Sequence, residues 1–138
     1  MADRPTWDSI WIKFAHDIAE RSPDPKYKVG AVVVNETNTQ VLSIGYNGDQ
    51  KGGENQRESL EVGKSGFIHA EINALIKCDF NYHGKKKMYL TLSPCRMCAK
   101  AIVNAGIDEV VYFEEYAESN GLDILKEAGI TVKAYSGE

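Results

Sequence analysis

The chain is poor in cysteine and proline, and it has no long apolar run. Only 3 of its 138 residues are Cys and 4 are Pro. A small, odd cysteine count does not make a disulfide framework, and a chain of this length buries a core without one. No stretch approaches the roughly 20 apolar residues that a membrane helix needs. The opening segment MADRPTWDSIW is charged and carries no signal-peptide core. An excess of positive charge is also missing: the formal net charge is −4. That tells against a nucleic-acid partner held by a broad basic face, but it leaves room for a small anion held by a few local cations. The expectation is one domain over residues 1–138, cytoplasmic, with reduced thiols and no membrane partner.

What the sequence does have is clear periodicity. Trp7, Ile10, Trp11, Phe14 and Ile18 form one stripe of a helix over 7–20, stopped by Ser22-Pro23-Asp24-Pro25. VGAVVV (29–34) and VLSIGY (41–46) flank the turn cluster NETNTQ and read as a hairpin. Residues 47–67 show no period, only Gly and charge, as in a long loop. A second helix starts near Ile68 or His69 and runs to about Lys77. MYLTL (88–92) reads as a strand. PCRMCAKAIVNAG reads as a helix with Pro94 near its first position and Gly106 closing it. EVVYF, residues 121–128 and ITVKAY complete a strand, helix, strand order. This order predicts an α/β fold: a single five-stranded mixed sheet with helices on both faces, its later strands mostly parallel with right-handed crossovers.

Cys95 and Cys98 stand at i and i+3 in the first turn of a predicted helix, where exposed N–H groups favour thiolates. Taken alone, the pair reads as a metal site, a redox dithiol or two core cysteines. Its late place in the chain tells against a thioredoxin-type dithiol. His69 adds an imidazole. Two thiolates and one imidazole make a three-ligand zinc site with an open fourth position, the pattern of catalytic zinc. Cys78 would close that site, but along a straight helix it lies about 13 Å from His69, so a buried apolar role fits it better. Glu71 is either a first-turn acid favoured by the helix dipole or a proton carrier beside a zinc-activated water. Residues at i and i+2 do not share a helix face. The second role therefore requires His69 to sit at the very edge of the helix.

HAE at 69–71 with PCRMC at 94–98 follows the H-x-E…P-C-x-x-C pattern of zinc-dependent nucleobase deaminases. With SPDPKYKVGAVVV (22–34), GYNG (45–48), IHAEINAL (68–75) and LSPCRMCAKAIVNAGIDEVVY (92–112), the chain resembles the deoxycytidylate (dCMP) deaminase family over about residues 7–116. The resemblance implies a cytidine-deaminase-like αβα sandwich and hydrolysis of dCMP to dUMP and ammonia, which supplies dUMP for thymidylate synthesis. It implies zinc on His69, Cys95 and Cys98, with Glu71 carrying protons to N3 and to the leaving amine. Asn47 would contact the deoxyribose hydroxyl and Ala70 would offer backbone to the base. Arg21, Lys26, Lys28 and Tyr116 are candidates for the phosphate, although EEYAESNG lacks the Arg that relatives often carry near that Tyr. The resemblance also implies a homo-oligomer, often a hexamer, activated by dCTP with Mg2+ and inhibited by dTTP. Gly48, Lys51, Gly52 and Gly53 are candidates for the effector pocket. Other readings stay open: a zinc deaminase of dCTP, cytidine or tRNA adenosine, or a non-catalytic zinc-stabilised interaction domain.

Overall fold

The structure, a computed structural model, describes residues 4–79, 81–116 and 120–137. The elements follow in the predicted order: α1 (Trp7–Ala19), β1 (Gly30–Asn35), β2 (Val41–Tyr46), α2 (Ala70–Lys77), β3 (Lys86–Leu92), α3 (Arg96–Asn104), β4 (Glu109–Glu114), α4 (Gly121–Glu127) and β5 (Thr131–Ala134). The five strands form one sheet in the order β2-β1-β3-β4-β5. β1 pairs antiparallel with β2 and with β3, while β3, β4 and β5 run parallel. The mixed sheet is thus a hairpin joined edge to edge to a parallel half.

The sheet buries both faces. Val32, Val34, Tyr89 and Val111 turn to one side and meet Ile12 and Ala15 of α1. Ala31, Val33, Met88, Leu90 and Val110 turn to the other, where α2 and α3 contribute Ala70, Ala74, Ala99 and Ile102. In the central strand β1 successive side chains still alternate between the faces, but Gly30 to Val34 are all buried because helices cover both faces there.

Several element ends differ from the sequence reading by a residue or two, and three of the differences have a local reason. Val29 lies outside β1 because its N–H is taken by the Asn47 side chain at 2.9 Å. β3 begins at Lys86 rather than Met88, since the Lys86 N–H is held by Asp108 Oδ2 at 2.9 Å and Lys86 and Lys87 pair with Asn35 and Val34. Pro94 precedes the N-cap of α3, Cys95, instead of starting the helix. Gly106 follows the C-cap with φ +81, the left-handed conformation that ends helices cheaply only at Gly.

Two glycines set the distance between layers. A Cβ on Gly30 would collide with the Ala15 carbonyl, and one on Gly45 would collide with the Ala70 carbonyl and the Ala74 amide. Gly45 therefore lets the first turn of α2 lie directly on β2.

Candidate active site

The N-termini of α2 and α3 end beside each other. His69 is the N-cap of α2, in extended backbone, and its ring makes no capping bond. It turns instead to the sulfurs. His69 Nδ1 lies 3.6 Å from Cys95 Sγ and 3.3 Å from Cys98 Sγ. Cys95 is the N-cap of α3, and its Sγ accepts the Cys98 N–H at 3.5 Å. The C-x-x-C spacing thus places one sulfur on the cap and the other one turn in.

These three residues form a group whose ligand atoms all lie within 4.8 Å of one another. Tetrahedral zinc, with Zn–S about 2.3 Å and Zn–N about 2.0–2.1 Å, would hold nitrogen and sulfur roughly 3.5 Å apart. The donor set and its spacing fit zinc. The thiols share their protons unequally: Cys95 is pushed down to about 4, first by the hydrogen bond from the Cys98 thiol, with His69 helping and burial opposing. The same contact and burial hold the Cys98 thiol well above its ordinary value. A dication beside both would deprotonate both. Cys78 caps the other end of α2 and packs against the apolar core, in line with the apolar role.

Glu71 meets the geometric demand set by the i, i+2 spacing. Because His69 is the cap itself, Glu71 stands in the first turn and both side chains line the same cavity. Glu71 is 3 % exposed. Burial pushes its carboxyl up to about 7, against its own backbone N–H and the nearby His69. A carboxyl poised there both accepts and returns a proton near neutral pH.

The cavity is about 570 Å³, a size suited to a small ligand. Two loops, 20–29 and 47–68, supply part of its lining. Lys26, Lys28, Tyr116 and Ala70 all line it, as the sequence suggests for substrate contacts. Arg21 does not; it lies exposed beyond the end of α1. Asn47 lines the cavity but its amide is engaged: Oδ1 accepts the Val29 N–H, and Nδ2 donates to the Tyr27 carbonyl at 2.8 Å and to Asp24 Oδ2 at 3.4 Å. Gly48, Lys51, Gly52 and Gly53 lie outside the cavity lining. Gly48 exchanges backbone bonds of 3.1 and 2.9 Å with Ile68, which staples the two ends of the long loop together next to His69.

Three residues at the loop end escape a reading of the sequence. Asp24, 1 % exposed, accepts the Lys26 and Tyr27 N–H groups on Oδ1 and the Arg57 guanidinium on Oδ2 at 2.6 Å. Arg57 also donates to the Ser59 and Glu61 carbonyls, and its side chain is only 6 % exposed. This buried ion pair joins the two loops. The DP turn was visible in the sequence, but nothing there pairs it with an Arg in a segment without period. His16, on α1, also lines the cavity.

Residues 5–114 match the family model for the cytidine and deoxycytidylate deaminase zinc-binding region. The chain belongs to this deaminase family. It is 37% identical over 145 residues to the deoxycytidylate deaminase of Saccharomyces cerevisiae, covering 96% of this chain and 46% of the yeast protein. It therefore spans about half the length of that relative. It is 36% identical to the deoxycytidylate deaminase of Mycobacterium phage D29, over 81% of this chain and 98% of the phage protein. Among solved structures, the dCMP deaminase of cyanophage S-TIM5 in complex with dCMP and dUMP superposes with a TM-score of 0.83 at 31% identity, covering 97% of this chain and 100% of that one.

Proposed function

We propose that the protein is a zinc-dependent dCMP deaminase that converts dCMP and water to dUMP and ammonia. The observation that carries this reading is the clustering of Cys98 with His69 and Cys95, the last two of which line one cavity together with the buried Glu71, Lys26 and Lys28. The names of the similar proteins support the substrate. When bound, zinc supplies a Lewis acid that lowers the pKa of water to about 7.

The residues of the chain divide the remaining work. His69, Cys95 and Cys98 hold the metal. Glu71 takes a proton from the attacking water and passes it to N3 of the cytosine; it then takes the proton of the hydroxyl now on C4 and delivers it to the departing amine. Ala70 presents backbone beside the base. Asn47 and Asp24 fix the 24–29 turn, so that Lys26 and Lys28 face the phosphate. With Tyr116 they form the anionic end of the site.

Regulation by dCTP with Mg2+ and by dTTP and a hexameric assembly follow from the family resemblance, and a cytoplasmic location from the cysteine usage. The effector would bind at Gly48, Lys51, Gly52 and Gly53, away from the cavity lining. Turnover of dCMP, dCTP, cytidine and tRNA adenosine, each with and without dCTP and Mg2+, tests the whole reading. The expected result is preference for dCMP; a faster rate on any other substrate overturns the assignment.

A further inference from the structure

The notable residue not used by the mechanism above is His16. It stands in the last turn of α1, on the opposite face of the sheet from α2 and α3, yet it lines the same cavity. Its ring is held at two points. Nδ1 lies 3.0 Å from the Ile12 carbonyl, which can only accept, so Nδ1 carries a proton and donates it. The ring meets Phe113 edge to face, at 4.8 Å between centroids and 88° between planes. With Nδ1 committed to the helix backbone, Nε2 is the nitrogen left for a ligand, and the ring cannot swing freely. A ring fixed by a backbone carbonyl on one nitrogen offers the other with defined direction.

We propose that His16 is a specificity-determining residue for the phosphate of the substrate, acting with Lys26 and Lys28, which line the same cavity. The inference rests on the proposed deaminase reading and deepens it. Arg21, the expected third cation, is not among the cavity residues, whereas His16 is. The contact is a hydrogen bond between Nε2 and a phosphate oxygen. Charge-assisted bonds of this kind are shorter and stronger than neutral ones. Glu114 and Glu115 share this wall, so the phosphate is admitted only where the cations outweigh them. Phe113 supplies the stiff backing. A flexible Lys in the place of His16 would give charge without direction.

The test compares dUMP with deoxyuridine, which differ only by the phosphate, in equilibrium binding to the zinc-loaded wild type and to H16F and R21A. Phenylalanine keeps the ring against Phe113 and removes Nε2. In H16F the dUMP affinity should fall about tenfold, the worth of one charge-assisted hydrogen bond, while deoxyuridine affinity moves less than about twofold. R21A should match the wild type for both. Equal losses for the two ligands in H16F, or none for dUMP, overturn the inference, as does a wild type that binds dUMP no more tightly than deoxyuridine. If H16F melts below the wild type, H16Q gives the same comparison with a neutral donor and an intermediate loss. Turnover of dCMP is followed on the same samples. A wild type that binds dUMP more tightly than deoxyuridine but does not deaminate dCMP would remove the proposed reaction and leave the His16 result standing.

Discussion

The two ends of the cavity are built by different means. At the metal end, two helix N-termini bring every group into place: His69 and Cys95 are caps, and Glu71 and Cys98 stand in the first turns. The helices rest on a sheet buried on both faces, so these positions are fixed by packing. At the proposed phosphate end, residues of the 20–29 and 47–68 loops line the cavity, and one buried ion pair, Asp24–Arg57, ties the loops together. Chemistry needs groups held to fractions of an ångström, which helix ends on a packed sheet supply. Binding needs charge and shape, which a latched loop supplies. Damage at the metal end should therefore appear in kcat and metal content, and damage at the loop end in KM and stability.

The largest effect should come from Cys98→Ala. It removes a buried ligand, so zinc should fall from about one per chain to near zero, with loss of turnover and a lower melting temperature. Metal analysis and turnover on one sample read this; full zinc retention would move the ion away from these residues. Arg57→Ala comes next. It leaves the Asp24 carboxylate buried without its cation, and by analogy with broken buried pairs should cost about 3–5 kcal/mol in denaturant unfolding. Zinc content should stay at the wild-type level. Loss of zinc in this variant would show that the two ends are one unit and break the comparison.

Gly45→Ala should sharpen it. The new methyl would press on the Ala70 carbonyl and Ala74 amide, displacing the turn that carries Glu71. About 1–3 kcal/mol of stability should be lost, as for other overpacked sites, and kcat should fall more than KM rises. A change confined to KM would contradict the division of labour. The smallest effect is expected far from both ends. Burial opposes ionisation of Asp8, but hydrogen bonds from Lys133 and Tyr89 prevail and hold its carboxyl below the ordinary 3.8. A depressed group stabilises the fold above its unfolded pKa, and that stability is lost as pH falls through the folded value. Unfolding profiles of wild type and Asp8→Asn should thus converge as pH drops below 3.8, with the wild type more stable above it. Parallel profiles would remove Asp8 from the account.

The proposed metal end is legible in the sequence because its candidate ligands follow local rules. Cys95 and Cys98 announce themselves by spacing, and the i, i+2 spacing of His69 and Glu71 already demanded that His69 be the cap, which it is. The strands and helices followed from periodicity, since each buries one stripe or both faces. The loop end was not legible in this way. The Asp24–Arg57 pair spans two segments without period, and no local pattern ties one to the other. Asn47 reads as a sugar contact from its motif, but the fold uses its amide to hold Tyr27 and Val29. His16 carries no motif or spacing signal in the sequence; only the packing of α1 places it at the cavity.

In the proposed mechanism Glu71, positioned by the cap at His69, carries the proton while the candidate metal ligands stand apart from it. Glu71→Gln keeps the shape of the side chain and removes the proton carrier. Measured on one preparation, zinc should remain at about one per chain, dUMP should still bind, and dCMP turnover should fall by roughly 10²–10⁴-fold, the range of general acid–base catalysis. Turnover within a few-fold of the wild type, with zinc in place, would contradict the account.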